Sequence, residues 1–176
     1  MRSKHFIIAV LITLTLLCAS VPVLGVGELW TTVGSDGTPD DSNRNAVIFT
    51  GTVAEVSQGF IGTVRMRYNV DQTTLDGQPV ELKVRYRDNG ARARVIVRLK
   101  EHNFTTGDVT DVVSFDSDDE VASADFQIGS ALSCTLTESH LLDFSQNAYY
   151  IEIELRKTGS RGDPGVSQIR LIGIVC

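Results

Sequence analysis

The sequence is short of the residue patterns that build enzyme sites. It has no Gly-x-Ser-x-Gly, no His-Glu-x-x-His, no phosphate-binding glycine loop and no Cys-x-x-Cys. Those gaps remove the recognisable serine hydrolases, zinc proteases, nucleotide-binding loops and thioredoxin-like redox sites. Histidine is scarce: beyond His5 there are only His102, beside a turn, and His140, in the polar stretch 135–142. After residue 25 no apolar stripe with a 3.6-residue period reaches helical length, so a helical or mixed α/β domain is not expected. Internal repeats and low-complexity tracts are missing as well, which argues against solenoids and disordered tails. A pair of carboxylates could still cleave glycosides, because that pair is set by space rather than by spacing. Glu152 and Glu154 share a strand face but lie among arginines, where ion pairing is the expected role. The chain therefore reads as a non-enzymatic binding or structural module, the alternative being a carbohydrate-active domain, a sugar-binding module before a small glycoside hydrolase.

Cysteine is equally sparse, with only Cys18, Cys134 and Cys176. The first follows the longest apolar run, Phe6 to Leu17, which is preceded by Arg2 and Lys4. A basic start and an apolar centre of this length form a secretion signal. Val23 and Gly25 suit the −3 and −1 positions of a cleavage site, so residues 1–25 are read as a removable signal peptide. Pro22, Gly25 and Gly27 make the same stretch a poor membrane anchor, and Leu17 before Cys18 does not fit a lipid-modified cysteine. The expected location is secreted or periplasmic, with no membrane association after cleavage. In such an oxidising compartment Cys134 and Cys176 are expected to form one disulfide. Closing a loop of about 40 residues contributes about 4 kcal/mol in the chain-entropy account.

About 150 residues remain, enough for one domain with a real core. Period-two alternation marks eight stretches: 46–56, 60–70, 80–87, 92–100, 109–115, 122–128, 148–157 and 168–175. Asp76-Gly77, Asn89-Gly90, Thr106-Gly107 and the loop from Gly159 to Gly165 punctuate them. The expectation is an all-β fold, an antiparallel β-sandwich of about eight strands of jelly-roll or other Greek-key type. Residues 26–45 read as a polar N-terminal lead-in and residues 46–176 as the sandwich, with Trp30 folding back onto it. If Asn89-Gly90 centre a type I′ hairpin turn, Arg85 faces Arg94 and Arg87 faces Arg92. One face then collects Leu82, Val84, Tyr86, Ala93, Val95 and Val97, and the other Glu81, Lys83, Arg85, Arg87, Arg92, Arg94, Ile96 and Arg98.

Charge is unevenly spread. Removing Arg2 and Lys4 with the signal takes the net charge from −6 to −8, too acidic for bulk nucleic-acid affinity. Yet residues 64–100 hold nine Lys or Arg against four Asp or Glu. The basic candidates for a binding face are Arg65, Arg67, Lys83, Arg85, Arg87, Arg92, Arg94 and Arg98. Guanidinium forks fit carboxylate or ester oxygens, so an acidic polysaccharide, a protein partner or the acidic half of a second copy suits such a face. Glu152 and Glu154 on a neighbouring strand are the alternative partners, neutralising the arginines internally. No cofactor is expected. Asp116 to Glu120, and the group Asp36, Asp40, Asp41 and Asn43, offer the oxygen ligands Ca²⁺ takes, but without a spaced calcium motif they read as solvated turns. Arg161-Gly162-Asp163 reads as ordinary turn chemistry, and Asn103-Phe104-Thr105 matches an N-glycosylation acceptor.

The first residue of the exported protein is expected to be Val26. N-terminal sequencing or intact mass of the secreted product checks this, and a product retaining Met1 would sink it.

Overall fold

The computed structural model describes residues 29–71, 73–135 and 140–176. The signal reading of residues 1–25, Cys18 included, falls outside them. Among the described residues there are eleven strands: β1 (Leu29–Val33), β2 (Thr38–Pro39), β3 (Val47–Thr50), β4 (Val53–Val56), β5 (Gly62–Val70), β6 (Val80–Asp88), β7 (Ala93–Asn103), β8 (Val109–Asp116), β9 (Ser123–Leu132), β10 (Asn147–Lys157) and β11 (Gly165–Gly173). Every pairing is antiparallel. One sheet runs β3-β4-β11-β6-β9, with β1 sharing the β4 side of β11. The second runs β2-β5-β10-β7-β8. The chain passes from one sheet to the other after β1, β2, β4, β5, β6, β8, β9 and β10. That interleaving is the expected antiparallel sandwich.

Alternation in the sequence decides what fills the space between the sheets. Inward rows are Val64, Met66, Tyr68 and Val70 on β5; Val80, Leu82, Val84 and Tyr86 on β6; Val95, Val97 and Leu99 on β7; Tyr149, Ile151, Ile153 and Leu155 on β10; and Ile169 and Leu171 on β11. All are buried. Each such side chain contributes about 1.5–3 kcal/mol by leaving water. Trp30 joins this core from β1.

Three features differ from the sequence reading. The stretch 46–56 is a hairpin of two strands rather than one, because Gly51, at φ +58°, reverses the chain there. The segment read as a polar lead-in supplies β1 and β2, which extend both sheets. Gly34 allows this close approach, since a Cβ there would stand 2.0 Å from the carbonyl oxygen of Val166.

The third difference matters most. β6 and β7 do not pair with each other; they lie in opposite sheets. Asn89 to Arg92 form an arch, with Gly90 at φ +111° and its N–H held by Asp88 Oδ1 at 2.9 Å. Ala93 N closes onto Gly90 O at 2.7 Å. Leu82, Val84, Tyr86, Val95 and Val97 point into the same core in either arrangement, so the apolar pattern could not separate hairpin from arch. Charge separates them. A hairpin sets Arg85 against Arg94 and Arg87 against Arg92, and like charges directly opposite are unfavourable. The arch sends the two sets to opposite outer surfaces.

Cys134 and Cys176 form the expected disulfide, with Cα atoms 6.5 Å apart. It ties the chain end beyond β11 to the segment after β9. Replacing both cysteines by alanine is expected to lower the unfolding free energy by about 4 kcal/mol, the cost of freeing a loop of this size. Urea unfolding of the oxidised protein and the variant measures it; equal midpoints would sink the assignment.

Candidate functional site

Strand β10 carries the acidic row that decides the outer face of the five-stranded sheet. Glu152 stands in register between Arg67 of β5 and Arg98 of β7, and Glu154 is opposite Arg65. Arg98 Nη1 lies 2.8 Å from Glu154 Oε1, and Arg156 Nη2 lies 2.7 Å from Glu154 Oε2. Arg65 and Arg67 reach Glu154 and Glu152 at 3.6 and 3.8 Å. On the far side Arg94 binds Asp116, with Asp118 3.0 Å from its Nε, and Lys100 Nζ donates to Asp111 at 2.6 Å. Arg65, Arg67, Arg94 and Arg98 are therefore engaged with carboxylates of their own sheet. Burial alone would push Glu154 up, but hydrogen bonds from Arg156 and Arg98 outweigh it and hold the carboxyl below its ordinary range. The Arg94 hydrogen bond lowers Asp116 in the same way.

The outer face of the six-stranded sheet is different. Lys83, Arg85 and Arg87 alternate outward on β6. Arg170 of β11 is opposite Lys83, and Gln168 is opposite Arg85. Lys83 pairs with Glu81 at 3.1 Å. Arg85 and Arg87 both stack over the Phe126 ring, 5.1 Å from its centroid. Arg85 also donates to Ser167 Oγ at 3.0 Å, but neither Arg85 nor Arg170 meets a carboxylate among the described residues. These two and Lys83, Gln168 and Ile128 line a shallow groove of about 110 Å³. Arg92 stands apart on the arch, exposed.

At one end of this face lies a larger cleft of about 780 Å³. Its rim is the Ser160 to Asp163 loop, with Arg87, Asn89, Glu55, Gln58 and Ile48 around it. Arg87 Nη2 donates to Glu55 Oε2 and to Asp163 Oδ1, each at 2.8 Å. Asn89 brackets the loop, its Nδ2 donating to Arg161 O at 2.7 Å and its Oδ1 accepting from Asp163 N at 2.8 Å. A Cβ at Gly162 would stand 2.0 Å from Arg92 O, so only glycine lets the loop lie against the arch. Asp163 is thus consumed in holding the cleft together, and turn chemistry accounts for the Arg-Gly-Asp run. At the floor sits Lys157, 3% exposed, its Nζ donating to the carbonyls of Ser57 and Gln58 at 3.1 Å each. Sequence reasoning passed over Lys157, though a signal existed: it continues the inward row Tyr149, Ile151, Ile153, Leu155.

Several polar groups away from these surfaces tie elements together. Glu101 Oε2 accepts from Tyr149 Oη at 2.8 Å and lies 2.9 Å from His140 Nε2. Burial, reinforced by Glu101, pushes Tyr149 up to about 12, so its phenol stays protonated as a tie between β7 and the segment before β10. Asn103 donates its amide to Asn147 at 3.0 Å and accepts from Thr105 N, which makes it the turn residue of the β7–β8 hairpin. Asp116 also caps the turn Ser117–Asp119 by accepting from Asp118 N. Among the described residues no group of three or more His, Cys, Asp or Glu is placed to hold a metal ion. No helix among them is long and apolar enough to cross a membrane.

No family model matches this chain, and no curated protein matches it. Solved structures share its fold. A cyclase from Fischerella sp. in its apo form superposes with a TM-score of 0.52 at 12% identity, over 89% of this chain and 93% of that one. The C-terminal CBM6 of a marine laminarinase from Zobellia galactanivorans gives 0.47 at 10% identity, over 82% and 99%. A family 35 carbohydrate-binding module from Clostridium thermocellum gives 0.46 at 15% identity, over 83% and 98%. At such identities the likeness is one of fold alone.

The lowered Glu154 and Asp116 carboxyls fix a pH dependence. A carboxyl lowered on folding contributes stability above its unfolded value, about 4, and that contribution is lost as pH falls through the lower folded value. Unfolding midpoints are expected to hold steady from pH 7 to about 5 and to drop steeply below about 4. Glu154→Gln should be less stable at pH 7 and show a shallower acid loss. Identical acid slopes in urea titrations of both proteins would sink this account.

Proposed function

We propose that the protein is an exported, non-enzymatic binding module that holds an acidic polysaccharide along the outer face of its six-stranded sheet. The observation that carries this reading is the pair Arg85 and Arg170, exposed on adjacent strands and without a carboxylate partner among the described residues. The arginines of the other sheet are taken up by Glu152 and Glu154 of β10 and by Asp116 and Asp118, so the basic surface open to a ligand is confined to one side. From Lys83 to Asn89 the β6 track is about 20 Å long at strand rise, an extended surface of the kind a polymer lies along. Screening limits each charge to about 8 Å at physiological salt, so the acidic surplus elsewhere does not cancel a local pair. Guanidinium groups donate two parallel hydrogen bonds to a carboxylate or an ester oxyanion, and Phe126 beneath Arg85 holds that fork flat. Non-enzymatic action fits the cleft carboxylates: Glu55 and Asp163 both converge on Arg87, which leaves no acid and nucleophile facing each other across open space.

A second reading is that the module takes a neutral saccharide in the cleft, where Gln58, Asn89 and Ser160 stand beside the apolar Ile48. One experiment separates the two. Polygalacturonate and a neutral β-glucan are immobilised, and retention of the protein and of Arg85→Glu/Arg170→Glu is followed from 20 to 500 mM salt. The acidic polymer is expected to retain the protein at low salt and release it as salt rises, with the double variant at least about tenfold weaker, or about 1.4 kcal/mol. Salt-insensitive binding of the neutral glucan supports the second reading. Failure to bind either polymer overturns both, and a salt-sensitive dimer without polysaccharide would give the face to a second copy.

A further inference from the structure

An ammonium group buried in a protein is costly unless an opposite charge answers it. Lys157 is 3% exposed, and no carboxylate among the described residues answers it. Two of its three N–H groups are spent on the carbonyls of Ser57 and Gln58. The side chain lines the 780 Å³ cleft, which leaves the third donor and the charge itself for an occupant. The position is also wrong for mere packing. Every other inward residue of β10 from Tyr149 to Leu155 is apolar, and an apolar residue at 157 would extend the same row.

The rest of the lining says what kind of anion fits. Lys157, Arg87 and Arg161 stand against Glu55 and Asp163, a surplus of one positive charge. Arg87 already answers both carboxylates. An incoming anion therefore meets Lys157 at the floor and Arg161 at the rim. A single negative charge balances the cleft, whereas a dianion would face the two carboxylates with a charge left over. Ser160 and Gln58 present side chains with no hydrogen-bond partner among the described residues, and Ile48 is 41% exposed beside them. Hydroxyl-matching groups next to an apolar wall suit a sugar ring. The Asn89 bracket and the seat of Gly162 against the arch hold the loop in place before anything binds, which reduces the ordering cost of binding.

We infer that this cleft is a second binding site, for a monoanionic sugar residue whose carboxylate or sulfate ester sits on Lys157. The inference rests on the saccharide-binding reading, but it concerns a different part of the surface and a different size of ligand. A free anionic sugar tests the cleft, and the acidic polymer tests the sheet face.

The purified protein is titrated by calorimetry and by amide chemical shifts with glucuronate, glucose 6-sulfate and glucose, at 50 and 300 mM salt. At least one of the two anionic sugars is expected to bind ten or more times more tightly than glucose, with shifts at Ser57, Gln58 and residues 160–163. Preference for glucuronate assigns a uronate, and preference for the sulfate assigns a sulfated sugar. Lys157→Met, which keeps the length of the side chain without its charge, is expected to lose that discrimination while unfolding at no lower temperature. Should that variant fail to fold, Arg161→Glu at the exposed rim serves, with an expected loss of at least fivefold. Equal affinity for all three sugars, or none for any, overturns the cleft assignment. Retention on polygalacturonate in that same protein leaves the sheet-face reading standing, and its loss removes both.

Discussion

The chain crosses from one sheet to the other between Asp88 and Ala93, and the surface chemistry takes its layout from that crossing. Residues 80–100 hold two strands with nearly identical alternation, apolar inward and cationic outward. In one sheet they would pile their arginines together. In opposite sheets they keep a shared core while turning Lys83, Arg85 and Arg87 to one exterior and Arg94, Arg98 and Lys100 to the other. Asp88, 3% exposed, pins the bend: it accepts from Gly90 N and bonds Ser117 Oγ, which in turn accepts from Val95 N at 2.8 Å. The same bend supplies the wall against which Gly162 rests.

Once separated, the two basic sets meet different neighbours. The five-stranded sheet places β10 between β5 and β7, so Glu152 stands between Arg67 and Arg98, and Glu154, opposite Arg65, is reached diagonally by Arg98. Exposed ion pairs are individually worth under about 1 kcal/mol, but a ladder that repeats at every second residue also penalises slippage, since a shift of one would set Glu against the core. The six-stranded sheet places β11 beside β6, and β11 brings Gln168 and Arg170 rather than acids. Electrostatic asymmetry between the exteriors thus follows from which strand lies next to which.

Much of this was legible from residue pattern, and the limits have physical causes. Alternation located the inward rows of β5, β6, β7 and β10, because burial on one face leaves a period of two whatever the strand pairs with. The pattern carries no information on the partner, so it could not tell the arch at Asn89-Gly90 from a hairpin. The like-charge pairs the hairpin implied were the available warning. The Glu152 and Glu154 ladder was legible because it needs only alternation and proximity. β1 and β2 were hidden by the polar, glycine-containing stretch between them, which local chemistry marks as loop; Gly34 is there for contact with Val166, a tertiary reason. The groove beside Arg85 depends on β11, a neighbour 80 residues away in sequence, and no local signal encodes it.

Lys157 shows where pattern and chemistry part. The strict alternation of β10 means that the residue two beyond Leu155 must face the sandwich interior, whatever its side chain. A protein selected only for stability would extend the apolar row, since replacing buried charges by well-packed apolar groups is commonly neutral or stabilising. Instead the row ends in a cation whose nearest carbonyls take two of its protons and whose charge no described carboxylate matches. Local rules are broken mainly where another requirement overrides them. Here the break falls at an end of the core that opens into a large cleft, beside a loop that Asn89, Arg87 and Gly162 hold in a fixed shape before any ligand arrives. A buried charge at a closed end of the sandwich would be a defect; at an open, pre-shaped end it is a binding determinant.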